Sequence, residues 1–416
     1  MVPEGWKVKQ LADICSKQIS YGIVQTGEHQ PNGIPCLRVV DLTKDEMHPE
    51  EMIRTSVEIH ESYRKTILEK DEIVMALRGE VGLVRQIDTK LVGANITRGL
   101  ARISAKPHIV APEFLLWELR SPKFRADLMR RVGGSALQEI SLSELRKVQT
   151  LIPPLPEQKK IAQILSTWDK AIATTEQLLA SSQQQKKALM QQLLTGKKRL
   201  LDKNGVRFSR EWKICQLSDV VSSLDSGVSV NGVEQEVSAS NFVLKTSCVS
   251  DGVFAPEEMK QVVEETEITR LKELLLDDSI LISRMNTPAL VGANAYVKSA
   301  PSNTYLPDRL WQVKINSSKV MMRWLAFWFS SEKTRTALSD LASGTSGSMK
   351  NISKKSVLTM PIQCPSLEEQ HKIAAVLSTA DQEITALQQK LEALKQEKKA
   401  LMQQLLTGKR RIINNI

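Results

Sequence analysis

The longest regular hydrophobic pattern in this chain steps alternately by four and three residues, and it occurs twice. The first run passes through Ile161, Leu165, Trp168, Ile172, Thr175, Leu179, Ser182, Lys186, Leu189 and Leu193. The second passes through Ile373, Leu377, Ala380, Ile384, Leu387, Leu391, Leu394, Lys398, Leu401 and Leu405. Such spacing, kept up for about five heptads, is the seam of a coiled coil. Pro156 suits a first helical turn, and Ser366 with Glu369 forms a capping box. Thr195-Gly196 and Thr407-Gly408 supply glycine past the last turn. The pattern predicts long helices over 156–196 and 365–408. At about 1.5 Å per residue each approaches 60 Å. A single small domain cannot cover that length, so the two helices are expected to pair with each other.

The helices are also near copies. KKALMQQLLTG occurs at 186–196 and again at 398–408, an offset of 212 residues. PEQKKIAQILSTWDKAI (156–172) matches EEQHKIAAVLSTADQEI (368–384) at the same offset without a gap. Upstream the likeness is fainter: GWKVKQLADI (5–14) against EWKICQLSDV (211–220), Arg78 opposite Arg284, and 113–125 against 323–335. The chain therefore reads as a globular unit and helix, then the same pair again.

In the globular units, short β-rich runs alternate with turn residues: IPCLRVV, DEIVMAL, VGLVRQI and GLARI in the first, FVLKTSCV, SILISRM, NAYVK and LWQVKI in the second. One amphipathic helix is expected in each, near 112–131 and 319–341. A Gly/Ser loop and a proline-marked exit follow each helix. The expected organisation is a tandem α/β (α+β) protein: domain 1 over 1–155, first helix 156–196, domain 2 over 197–364, second helix 365–408 and a basic tail 409–416. Two antiparallel helices of equal length would relate the domains by a pseudo-two-fold axis. Duplex DNA carries the same kind of dyad, which dimeric readers of paired half-sites exploit.

Net charge is +10 over 416 residues, which invites a nucleic-acid partner. Residues 156–203 hold 9 Lys+Arg against 4 Asp+Glu, whereas residues 1–155 hold 22 against 20. Residues 365–416 hold 8 against 6 and residues 204–364 hold 18 against 17, so most of the excess lies in the two segments that contain the repeated string and the domains are close to neutral. The longest apolar run, MMRWLAFWF, is too short to span a bilayer, and the first residues lack a signal-peptide core. Cys15, Cys36, Cys215, Cys248 and Cys364 are scattered, odd in number and without CxxC. A cytoplasmic protein with reduced thiols and no zinc site is expected.

Catalytic equipment is sparse. Phosphate-loop, HExxH and dinucleotide-binding signatures are missing, as is the Asn/Asp-Pro-Pro-Tyr/Phe tetrad of amino-methyltransferases. Five isolated histidines and a nuclease-like PEEMK at 256–260 do not amount to an active site. What the domains do offer is polar loops of the kind that read base edges, with Arg toward guanine and amides toward adenine. Candidates in the first unit are Tyr21, Gln25, Thr26, Arg78, Glu80, Asn95, Thr97, Arg98, Ser135 and Gln138. Those in the second are Arg284, Asn286, Asp308, Arg309, Thr345, Ser346, Lys350 and Asn351.

An α/β unit closing on a G-[ST]-rich loop, then PPLPEQKKIAQILSTWDKAI…LMQQLLTGKKR, then the pair again, resembles the specificity subunit of type I restriction–modification enzymes. The resemblance implies two target-recognition domains, each reading one half of a bipartite site in double-stranded DNA. It implies an antiparallel helix pair that fixes the spacer and docks two methyltransferase subunits. Those partners would carry S-adenosylmethionine, and restriction subunits would bring ATP and magnesium. It transfers no catalytic residue or metal ligand to this chain. A coiled-coil scaffold with protein-binding ends, or a self-contained nuclease or methyltransferase, are the alternatives.

Overall fold

The computed structural model describes residues 2–44, 46–133, 138–234, 240–250, 252–343 and 349–412. The chain divides into two compact units, one made of residues 1–177 with 389–416 and the other of residues 178–388. The division falls in the middle of both long helices, Leu155–Leu193 and Leu367–Leu405. Each unit thus owns one α/β domain, the start of the helix that follows it and the end of the other helix.

Both domains have the same plan. In the first, an antiparallel sheet runs in the order Ser20–Tyr21, Leu100–Ile103, Ile73–Ala76, Val84–Gln86. A second sheet sets Ile34–Leu37 antiparallel to Ile53–Thr55 and parallel to Asn95–Ile96. A two-stranded ribbon, Lys7–Gln10 with Gln149–Ile152, ties the way in to the way out. The second domain repeats all three. Its four-stranded sheet is Val221–Asp225, Leu310–Ile315, Ser279–Ser283, Asn294–Val297, and its three-stranded sheet centres on Asn241–Leu244. Its ribbon is Lys213–Gln216 with Pro361–Cys364. Central strands such as Ile73–Ala76 and Ser279–Ser283 are buried throughout, which is why the first and the middle three residues of the second read as unbroken apolar runs.

The expected single helix in each domain is two. Pro112–Arg120 and Pro122–Arg130 are separated at Ser121, whose hydroxyl accepts from the Phe124 N–H. Met322–Ser330 and Glu332–Asp340 break at Ser331, capped likewise by the Thr334 N–H. A serine in extended conformation ends one helix and caps the next, an arrangement the amphipathic period carries straight across. The run IPCLRVV also changes type midway, because the Arg38 N–H bonds Asp41 and turns Val39–Leu42 helical.

Two large cores anchor the helices. Ile161, Ala162 and Leu165 pack with Phe114, Trp117 and Leu119 of the first domain, and Leu405, the last residue of the second long helix, joins them with Leu406 just beyond it. Ile373, Ala374 and Leu377 pack with Trp324, Leu325 and Phe329 of the second domain, joined by Leu193 and Leu194. Within each unit the helix segments run antiparallel. In the first, Asp169 pairs with Lys398, and Glu176 with Lys395 at 2.7 Å. In the second, Asp381 pairs with Lys186, and Ser182 donates to Glu383 at 3.2 Å. Both helices end on a glycine with positive φ, 69° at Gly196 and 68° at Gly408. The N–H two residues beyond reaches back to the last turn, from Lys198 to Gln192 and from Arg410 to Gln404, 3.1 Å each.

Candidate nucleic-acid interface

At one end of each domain, strand termini are gathered by backbone bonds into a common loop surface. In the first domain the Ile23 N–H donates to the Ile96 carbonyl and the Arg98 N–H to the Ile23 carbonyl, both at 2.8 Å. The Leu77 N–H bonds the Gly99 carbonyl at 2.8 Å, and the Ile140 N–H bonds the Leu77 carbonyl at 2.9 Å. This approach is close: a Cβ on Gly22 would lie 1.8 Å from the Ile96 oxygen, and one on Gly227 would lie 1.7 Å from the Leu306 oxygen. Only glycine permits the crossing in either domain. In the second domain the Arg284 N–H bonds the Arg309 carbonyl at 3.0 Å, and the Ile352 N–H bonds the Arg284 carbonyl at 2.9 Å.

The candidate readers separate into two groups on this surface. Tyr21, Gln25, Glu80, Arg98 and Gln138 are exposed in the first domain, and Arg309 and Asn351 in the second. Thr26, Arg78, Asn286, Asp308 and Lys350 are half-buried, as are Thr97, whose hydroxyl donates to the Leu37 carbonyl, and Arg284, whose Nε donates to the Asp308 carbonyl at 2.7 Å. Lys350 and Asn351 form a short strand against Met285 and Asn286. Ser135, Thr345 and Ser346 lie outside the described residues.

Two expectations need correction. Asn95 is fully buried and unavailable to a ligand. Its Oδ1 accepts from the Thr66 hydroxyl at 2.8 Å, and its Nδ2 faces His60 and the Tyr63 carbonyl. The NITRG stretch reads as a polar turn, but Asn95 is already in a strand beside Cys36, where its amide satisfies a buried loop. Arg78 is also not the counterpart of Arg284. Backbone bonding places Arg284 at the position of Leu77, while Arg78, bridged to Glu139, matches Met285, paired with Asn351. A one-residue slip exchanges the faces of a strand.

Where each domain meets its long helix lie buried polar residues that no catalytic or binding signature marks. Glu157 and Glu369, one turn into the long helices, are almost fully buried. Arg411 donates to Glu157 through Nε at 2.9 Å and Nη2 at 3.0 Å, and the Trp6 indole N–H adds a bond of 3.0 Å. Arg199 donates to Glu369 at 2.6 and 2.8 Å, with the Trp212 indole at 3.1 Å. Burial pushes the Glu157 carboxyl up, but Arg411, the Ile412 N–H and Trp6 together hold it below the usual carboxylate range. The Glu369 carboxylate is thus engaged by Arg199 and Trp212, so of the expected capping box only the Ser366 hydroxyl arm forms, at 3.3 Å. The adjacent glutamines are equally committed. Gln158 accepts from the Ala111 N–H and donates to the Ile109 and Pro153 carbonyls; Gln370 does the same with Met321, Lys319 and Pro365. The signal that could have found them is polar identity at a fixed 212-residue offset inside an apolar helix start.

Along the helices, Ile161, Leu165, Leu193, Ile373, Leu377 and Leu405 are buried in the domain cores. Trp168, Ile172, Leu179, Leu189, Ile384, Leu387, Leu391, Leu394 and Leu401 are half-buried between mostly exposed neighbours. No helix among the described residues is long and apolar enough to cross a membrane.

Two copies of one domain, each with exposed polar loops and a buried helix joint, define a duplicated protein without a gathered metal cluster among the described residues. The sequence family described as Type I restriction modification DNA specificity domain matches residues 3–181 and again 209–396, and the chain belongs to that family. Among its relatives, the type I restriction enzyme EcoBI specificity subunit of Escherichia coli is 29% identical over 165 residues, 39% of this chain and 35% of that protein. A putative type I restriction enzyme MjaX specificity subunit of Methanocaldococcus jannaschii is 24% identical across 99% of this chain and 95% of its own length. The fold is shared with the S subunit of a type I restriction–modification system from M. genitalium, with a TM-score of 0.58 and 14% identity over 97% of this chain and 96% of that one. It is shared too with a chain from a structural study of type I R-M complex assembly and conformational transition, TM-score 0.53 and 17% identity, covering 99% of this chain and all of that one.

Proposed function

We propose that this chain is the non-catalytic, cytoplasmic DNA-reading subunit of a type I restriction–modification complex. Each domain presents its loop surface to one half of a bipartite site, with Arg98, Tyr21, Gln25 and Gln138 reading in the first unit and Arg309 and Asn351 in the second. The paired helices set the spacer and dock two methyltransferase subunits. Those partners bind S-adenosylmethionine and modify adenine; restriction subunits with ATP and magnesium complete the complex. The observation that carries this reading is the contrast in what was duplicated. The joint residues Glu157/Glu369, Gln158/Gln370 and Arg411/Arg199 recur with the same arginine, indole and amide bonds, while the loop sequences differ. A retained joint beneath domains whose loop surfaces differ is what two different half-sites on one frame require. Near-neutral domains fit a complex in which partners supply much of the phosphate-binding charge.

The test is to express the chain with its methyltransferase in a methylation-free host and sequence the methylome. A single bipartite motif with a constant spacer is expected, and exchanging residues 1–150 for another recognition domain should change one half-site only. Methylation without a bipartite motif would refute the reading, as would turnover by the isolated chain.

A further inference from the structure

Some distance along each long helix from the locked joint, a second constellation repeats. Asp169 is held by Lys398, from the other long helix, and faces the Arg120 guanidinium at 3.9 Å. Both cations lie over the Trp117 ring, at 4.9 and 5.3 Å. In the second unit Asp381 is held by Lys186, again from the other helix, and by Arg323 at 2.7 Å. Both of those cations lie over Phe327, at 5.9 and 4.3 Å, and Arg323 also covers Tyr296 at 4.3 Å. The aspartates and lysines belong to the duplicated helices, and Trp117 and Phe327 occupy matching positions in the domains. The arginines do not. Arg120 ends its helix, whereas Arg323 begins the corresponding one. The same four-part cluster has been built twice from different sequence solutions, which inheritance of the repeat alone does not produce.

We propose that Asp169 and Asp381 are positioning residues that fix the angle at which each domain stands on the helix pair, and through it the separation of the two half-sites. This rests on the half-site reading above. At each carboxylate three bodies meet: its own helix, the far helix through lysine, and the domain through arginine and an aromatic ring. The buried joint at Glu157 or Glu369 is the first point of attachment. The aspartate lies twelve residues further on, about 18 Å along the axis. One point lets a domain pivot, and a second that far away defines its direction. Apolar burial is non-directional, whereas the charged contacts constrain direction, as a hydrogen bond from Arg323 to Asp381 and as a longer ion pair from Arg120 to Asp169.

The experiment uses the full chain with its methyltransferase and duplex libraries whose spacer varies by single base pairs. Asp169→Asn and Asp381→Asn preserve shape and remove the charge. Each is expected to raise methylation at spacers one base pair off, relative to the cognate spacer, by about tenfold, the scale set by losing one charge-assisted bond. Half-site bases should stay unchanged, and Asp169→Glu, which keeps the charge, should restore the single spacer. Wild-type spacer preference in both Asn variants would overturn the proposal. A second measurement does not depend on DNA. Spin labels at Lys123→Cys and Thr174→Cys, with Cys215→Ser and Cys364→Ser, report the domain against its helix. Asp169→Asn should broaden that distance distribution, and an unchanged distribution overturns the positioning role even where the wild type shows no bipartite motif.

Discussion

The helix joint and the loop surface of each domain treat polar side chains in opposite ways. At the helix end, Glu157, Gln158, Glu369 and Gln370 are buried and every one is engaged by named partners. At the loop end, Tyr21, Gln25, Arg98, Gln138, Arg309 and Asn351 face solvent. Buried polar groups are tolerated only with their partners in place, so the first set can vary only in concert. Exposed loop residues carry no such obligation and are free to change with a target. The lesson is that within one small domain the residues that hold the frame and the residues suited to recognition can be told apart by how completely they are satisfied.

Substitutions at the helix end should have the largest effects on stability. Glu369→Ala would leave Arg199 and the Trp212 indole facing an emptied, buried site, and is expected to cost the second unit roughly 3 kcal/mol. Glu157→Ala should do the same to the first unit, because Arg411 closes that joint from the far end of the chain. Hydrogen exchange resolved by unit would check both, and protection lost in the wrong unit would contradict the assignment. Gln158→Ala or Gln370→Ala strands one buried N–H and leaves carbonyls unpaired, a loss of about 2 kcal/mol by the same measurement.

A pH effect separates the two units further. Glu118 is buried, and burial pushes its carboxyl up to about 8, against the opposing Leu151 N–H and Lys123. Its folded value lies above the ordinary 4.5, so its contribution is full below that value and is lost as pH rises toward and through 8. The first unit should therefore weaken with rising pH by up to about 1.4 kcal/mol per pH unit in that window. Glu118→Gln should remove the slope. The second unit has Trp328 at the matching helix position and should show no such slope, an internal control in the same protein. A slope in both units, or one that survives the substitution, would rule Glu118 out as its source. The smallest stability change belongs to the loop end: Arg98→Ala or Arg309→Ala should stay within about 0.5 kcal/mol in a melt. Each should nonetheless weaken retention of the cognate duplex about tenfold, or relax one base of one half-site, as the loss of a bidentate base contact does. A loss of stability without loss of retention would reverse the comparison.

Much of the frame was legible in the residues because it is local or repeated. The alternation of four and three steps marks the faces of Leu155–Leu193 and Leu367–Leu405, since a helix of 3.6 residues per turn turns spacing directly into a stripe. The buried strand Ile73–Ala76 and the Ile280–Ile282 core of its counterpart announce themselves as unbroken apolar runs. Less local features leave no such mark. The amphipathic period passes through Ser121 and Ser331 without a sign of the break, since a capping serine costs the pattern nothing. Arg78 and Arg284 look equivalent on paper and differ by one residue in space, because register comes from pairing with other strands. Asn95 has the composition of a turn and the burial of a core residue.

The residues alone determined the duplication, the two long helices, the class of strands between them and the family, because all of these rest on periodicity and identity along the chain. Only the tertiary structure decided which end of a helix belongs to which domain. Leu405, Leu406 and Arg411 complete the first unit, and Leu193, Leu194 and Arg199 complete the second. The physical reason is that a seam position states only that a side chain will be buried. What it is buried against is settled by the antiparallel return of a helix more than two hundred residues away, which brings a lysine to an aspartate and an arginine to a buried glutamate.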